Sequence, residues 1–176
     1  MAGHDHPHPH PPDFEFEPME HMDKIHWLIE NRGWAVEPVR PDPSADPPRP
    51  SYSYTLGLEA LVGHPEIVIM GLAPVAAAGL LDLVVANLKA GVRIPRGQPF
   101  VGLLDHDLRA VVLDVDPGES GHLFPTLPEI YGDQAWRMTQ FVWPDRTGAF
   151  PWEEGWPRAM AHTQPILGWK PGPPTA

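Results

Sequence analysis

Residues Ser51–Leu88, SYSYTLGLEALVGHPEIVIMGLAPVAAAGLLDLVVANL, decide how this chain folds. Tyr52, Tyr54 and Leu56 alternate with Ser51, Ser53 and Thr55, the period of a half-buried strand rich in aromatic and β-branched residues. Gly57 then allows another backbone or a ligand to approach closely. Ile67–Met70 carries no polar residue on either face, as expected of a central strand covered on both sides. Pro74 suits the first turn of a helix, where its missing N–H is not needed. Leu80, Leu81, Val84, Val85 and Leu88 then form one broad apolar face, and Gly91 is placed to cap its end.

A membrane span competes with this reading, because Ile67–Leu88 is nearly long enough to cross a bilayer. It is interrupted by Gly71, Pro74 and Gly79, it lacks basic flanks, and it contains Asp82. An acid near the centre of a spanning helix costs about 2.5–3.5 kcal/mol. A strand followed by a helix in a water-soluble protein is the reading that survives.

At 176 residues the chain has room for one domain. The net charge of −11, from 12 basic and 23 acidic residues, argues against nucleic acid as a partner, since phosphate contacts demand a basic patch. The absence of cysteine excludes disulfides, thiolate catalysis and Cys-ligated zinc, and suits a reducing cytoplasm. The first residues, MAGHDHP, carry no basic region followed by an apolar run, so no secretory signal is expected. Most of the 25 prolines gather in the first 20 residues, in Pro38–Pro50 and in the C-terminal third, which marks those places as loops or tails.

Outward from the centre, residues 1–17 read as a His/Pro-rich leader without a core. His4, His6, His8 and His10 alternate there and offer imidazoles for Zn, Ni or Cu; the competing reading is a leader that titrates near neutral pH. Pro18–Arg32 reads as a helix with Met22, Ile25, His26 and Ile29 on one face, His26 packed against the body, and Gly33 as its cap. Trp34–Arg40 is expected as a strand, paired antiparallel with the Tyr52 strand across the exposed Pro41–Pro50 loop.

Beyond the central helix, Val92–Phe100 is a connection interrupted by Gly and Pro and carrying Arg93 and Arg96. Val101–Leu104 and Leu108–Val115 are expected as a hairpin around Asp105-His106-Asp107, a tripeptide that resembles a metal triple and is better read as a solvated turn. Pro117–Asp133 reads as loop with one helical turn at Glu129–Tyr131. Trp136–Trp143 reads as a last strand. An aromatic wrap, Phe150–Trp156, follows, and residues 157–176 read as a proline-rich tail on which Ile166, Leu167 and Trp169 can dock. The expected fold is α+β: a mostly antiparallel sheet of about five or six strands with two main helices, in a single domain over 18–156.

Four motifs in order carry a family likeness: Gly33-Trp34; Tyr54-Thr55-Leu56-Gly57-Leu58; His64-Pro65-Glu66 with the strand through Gly71-Leu72; and the run Gln140–Glu153, QFVWPDRTGAFPWE. Over roughly Ile25–Leu167 the chain resembles a bacterial family catalogued as a domain of unknown function (family four-two-six-two). The resemblance implies a compact bacterial domain and no established activity, so it transfers no catalytic residue, and the His-rich leader lies outside it. A looser likeness, at the level of fold alone, is to the split barrel of flavin reductases; no motif for a flavin phosphate accompanies it.

The groups fit for chemistry are few. His64 lies in the loop before a central strand, where ligand contacts gather on a rigid scaffold. If Asp145 sat at the same end of the sheet, it could orient the imidazole, with Thr55 or Tyr54 as proton partner, in general acid–base fashion. The competing reading is structural, with Glu66 and Asp145 satisfying backbone amides. Tyr54, Gly57, His64, Glu66, Trp143 and Trp152 are the expected lining of a small-molecule pocket. The alternatives are a non-catalytic, protein-binding accessory subunit of the immunity type, and metal capture by the leader. Whether the domain is an enzyme is left open.

Overall fold

The structure is a computed structural model and describes residues 20–168. His4, His6, His8, His10 and Trp169 lie outside the described residues. Five strands form one sheet: β1 (Ala35–Val39), β2 (Tyr52–Leu56), β3 (Glu66–Met70), β4 (Val111–Val115) and β5 (Met138–Val142), in the order β1-β2-β3-β5-β4. Every neighbouring pair is antiparallel except β3 and β5, which run parallel with Ile67 opposite Thr139. The sheet is open, with β1 and β4 as its edges, and so is not the barrel of the flavin-reductase analogy.

Two helices are long, α1 (His21–Arg32) and α3 (Pro74–Lys89). Three short ones, α2 (Leu58–Val62), α4 (Pro117–Ser120) and α5 (Leu127–Tyr131), correct the expectation of two. α1 begins at His21 and ends on Gly33, whose N–H reaches Ile29 O; the expected start at Pro18 lies outside the described residues. His26 is exposed, contrary to expectation, because the buried stripe of α1 is narrow and Ile25 alone is fully covered. At the end of α3, Gly91 N–H bonds Leu88 O and Val92 N–H bonds Asn87 O, so the last carbonyls are capped from within the chain. Among the described residues no helix is long and apolar enough to cross a membrane.

Both faces of the sheet are covered, which explains why its three inner strands are buried along their whole length. One face carries Tyr52, Tyr54, Leu56, Val68, Met70 and Met138 against Ile25 of α1 and against Phe124 and Leu127. The other carries Ile67, Ile69, Val112 and Phe141 against Ala77, Leu81, Val84 and Val85 of α3. The alternation in β2 is therefore not a solvent boundary. Ser53 and Thr55 lie on the face that α3 covers and are as buried as the tyrosines.

Two further expectations change. Val101–Leu104 is not a strand; the hairpin is reduced to a single bridge between Phe100 and Ala110. Asp105–Asp107 forms a short 3-10 turn with all three residues exposed. Of the stretch read as a tail, residues 157–168 are built into the body: Gln164 is buried, Ile166 packs beside Leu113 and Phe150, and Gly168 bridges to Val115. Gly71 makes room for this segment, since a Cβ there would lie 2.0 Å from Thr163 O.

Candidate functional site

The ends of the strands define two chemically different poles. At one, the starts of β3 and β5 meet the ends of β2 and β4; at the other, the chain leaves β3 and β5 towards Gly71 and Trp143.

Glu66 opens β3 at the first pole and is fully buried. Its Oε1 accepts from Gly57 N–H (2.7 Å), Leu58 N–H (2.8 Å) and the Tyr131 hydroxyl (2.7 Å), and its Oε2 accepts from the Thr55 hydroxyl (2.5 Å). Thr55 Oγ1 in turn accepts Ile67 N–H, taking the place of a ladder carbonyl. Burial pushes the Glu66 carboxyl above its ordinary range, against the pull of these four donors, and burial with the nearby carboxylate pushes the Tyr131 phenol up. Gly57, at φ +106° and with Gly33 O too close for a side chain, turns the backbone so that two successive amides face Glu66. Glu66 is thus a satisfied buried acid that fixes the α2 turn; no ligand is needed to explain it.

His64 stands two residues before it. Its Nδ1 lies 2.7 Å from Pro65 O. A carbonyl can only accept, so Nδ1 carries the proton and Nε2 presents a lone pair. That Nε2 is shielded from solvent and has no hydrogen-bond partner among the described residues. Burial lowers the imidazole pKa first, with Arg96 and Arg137 adding to the effect against Pro65 O and Glu59, so the ring is neutral at neutral pH. His64 lines a cleft of about 570 Å³ with Val62, Leu88, Val92, Arg93 and Arg96, between the end of α3 and the loop after α2. A neutral imidazole of fixed tautomer in such a cleft can accept a hydrogen bond from a ligand or take a proton from it.

The remaining expected site residues do not join it. Tyr54 lies inside the core against Phe124; burial pushes its hydroxyl pKa up to about 12, and the hydroxyl, close to Thr126, has no partner at full hydrogen-bond geometry among the described residues. Thr55 is engaged by Glu66 and Ile67. Asp145 and Trp143 follow β5 and so lie at the opposite pole from His64, about 13 Å or more away at roughly 3.3 Å per strand residue. Asp145 closes its own turn through Thr147 and Ala149, and the Thr147 hydroxyl holds its carboxyl below the usual range. Trp152 stacks on Phe150 beside Val142, also at that far pole. The acid–base set His64, Asp145 and Thr55, and the shared pocket of Tyr54, His64, Trp143 and Trp152, are therefore not assembled.

The far pole is a clasp. Trp143 Nε1 donates to Met70 O, tying the ends of β3 and β5 together, and its ring leans on Trp156. Gln164 pairs with both the N–H and the C=O of Trp143, as a strand would. Glu153 accepts from Arg109 (2.6 Å) and from Phe150 N–H. An apolar cleft of about 480 Å³ between Trp143, Pro144, Pro157 and Met160 opens here, with Arg146 on its rim. Among the described residues no three His, Asp or Glu side chains come together to hold a metal ion.

Sequence reasoning passed over Tyr131, Gln140, Arg109 and Gln164, and it noted Arg93 and Arg96 without assigning them a role. The one available signal was the arginine pair in a loop rich in Gly and Pro within a markedly acidic chain. Gln140 opened the family motif but gave no sign of its anchoring role. It sits buried mid-strand, donates to Pro165 O and accepts Leu167 N–H, anchoring a segment that local pattern alone does not reveal.

A family model described as a domain of unknown function (DUF4262) matches residues 28–157. No curated protein and no solved structure matches the chain.

Proposed function

The chain belongs to that family, whose description leaves the activity open, and from the site itself we propose a small-molecule-binding domain whose ligand enters the His64 cleft and donates an N–H or O–H group to Nε2. One observation carries the reading: a shielded ring nitrogen without a partner, in a residue whose other nitrogen is fixed by Pro65 O. Buried acceptors are normally satisfied, and this one belongs to a residue that lines the cleft, which points to a missing partner. The cleft volume lies within the usual range for ligand sites. If the ligand is reactive, the same nitrogen is the general base, already neutral and so available without prior loss of a proton. The cysteine-free composition supports a cytoplasmic setting.

The test is native mass spectrometry of the full chain purified from its host, beside His64→Ala. A bound small molecule present in the wild type and lost in the variant is expected. Equal retention by His64→Ala overturns the reading.

A further inference from the structure

Resting on this reading of the His64 cleft, we propose that its occupant is a small oxyanion, a carboxylate or a phosphate, held by Arg93 and Arg96 while an adjacent O–H or N–H is donated to His64 Nε2. The chain carries a net charge of −11 with 12 basic residues, yet two of those twelve line one cleft, and Arg137 is near enough to act on the same imidazole. Arg93 makes no ion pair among the described residues. Arg96 donates from one nitrogen to Asp114 Oδ1 at 2.9 Å, in a pair whose side chains are 38% and 62% exposed. Such an exposed pair contributes little, and a guanidinium has five N–H donors, so most of Arg96 is free for a second acceptor.

Opposing charge is modest. Glu59 is turned to Arg137, Asp114 to Arg96, and the Asn87 and Leu88 carbonyls at the end of α3 are taken by Val92 and Gly91. A neutral imidazole lining the same cleft as two arginines is selective: it leaves the anion to the arginines and asks the ligand for a donor. A hydrogenphosphate supplies both from one group, as does a 2-hydroxy carboxylate. Val62, Leu88 and Ile94 leave an apolar wall for the remainder of the molecule.

Imidazole resonances of the full chain, followed by NMR during titration with inorganic phosphate, with lactate and with glycerol, test this. The variants are Arg93→Gln/Arg96→Gln together, and Lys89→Gln, which removes a charge that lines a different cleft. A saturable shift of His64 with phosphate or lactate and none with glycerol is expected. Affinity should fall at least tenfold in the double variant and stay unchanged in Lys89→Gln. Whichever anion saturates first identifies the source of the oxyanion. Glycerol shifting His64 as strongly, or undiminished anion binding by the double variant, overturns the oxyanion while leaving the small-molecule site standing. No response of His64 to any compound from a mixed neutral and charged fragment set overturns both.

Discussion

Tyr131 donates its hydroxyl to Glu66 Oε1 at 2.7 Å across 65 residues of chain, closing α5 onto the first residue of β3. Around this bond a carboxyl with no cationic partner among the described residues is held by four donors in the protein interior. Its pKa is raised above the ordinary 4.5, so the folded state binds its proton more tightly than the unfolded chain does. The contribution of Glu66 to stability is then fully present below pH 4.5 and is lost as pH rises through its folded value. Replacing it removes that pH dependence. Glu66→Gln is expected to fold with a flatter pH–stability profile in urea melts between pH 4 and 8. Glu66→Ala strands two backbone amides, each costing about 1–3 kcal/mol, and should lower stability by about 3 kcal/mol or more.

His64 runs the other way. Its pKa is lowered from 6.5, mainly by burial, so the stability it brings is present above 6.5 and is lost as pH falls through the folded value. Its imidazole resonance should titrate with a midpoint below the ordinary 6.5. Arg96→Gln should move the midpoint upward, because a neighbouring positive charge is removed. An unchanged midpoint would show that desolvation alone sets it.

Gly71→Ala tests the C-terminal wrap. The position has φ +86°, which already strains a side chain, and the added methyl meets backbone rather than a movable group. A loss of about 2 kcal/mol or more is expected. Proteolysis in the 157–168 segment should be faster than in the wild type.

Gln140→Leu keeps volume and removes the polar anchor of the same segment. Leu167 N–H loses its acceptor, and hydrogen exchange at Leu167 should accelerate while amides in β3 keep their protection. Loss of protection across the whole sheet would instead mark Gln140 as part of the folding core.

How much of this was legible in the chain varies by region, for physical reasons. The β2–β3–α3 run reads directly, because periodicity and Pro74 are local signals. The antiparallel β1–β2 partnership follows from one loop. The insertion of β5 beside β3 does not, since nothing in WRMTQFVW states which strand it will meet, and burial on both faces erases the expected division at Ser53 and Thr55. At the site, His64 stood out through its place before an apolar strand. Its separation from Asp145 and Trp152 did not, because that depends on β5 running parallel rather than antiparallel to β3. Gln140 and Gln164 act by pairing with backbone distant in sequence, which composition cannot express.

The placement of β5 has a bearing on synthesis. Thr139 Oγ1 bonds Glu66 O, 73 residues earlier in the chain, so the middle of the sheet stays incomplete while the ribosome makes everything between them. Throughout that interval the apolar run Ile67–Met70 has a vacant hydrogen-bonding flank, a template for pairing with other nascent chains. α3 emerges immediately afterwards and shields one side of that run. The order of elements along the polypeptide therefore works as protection during translation as well as architecture after it.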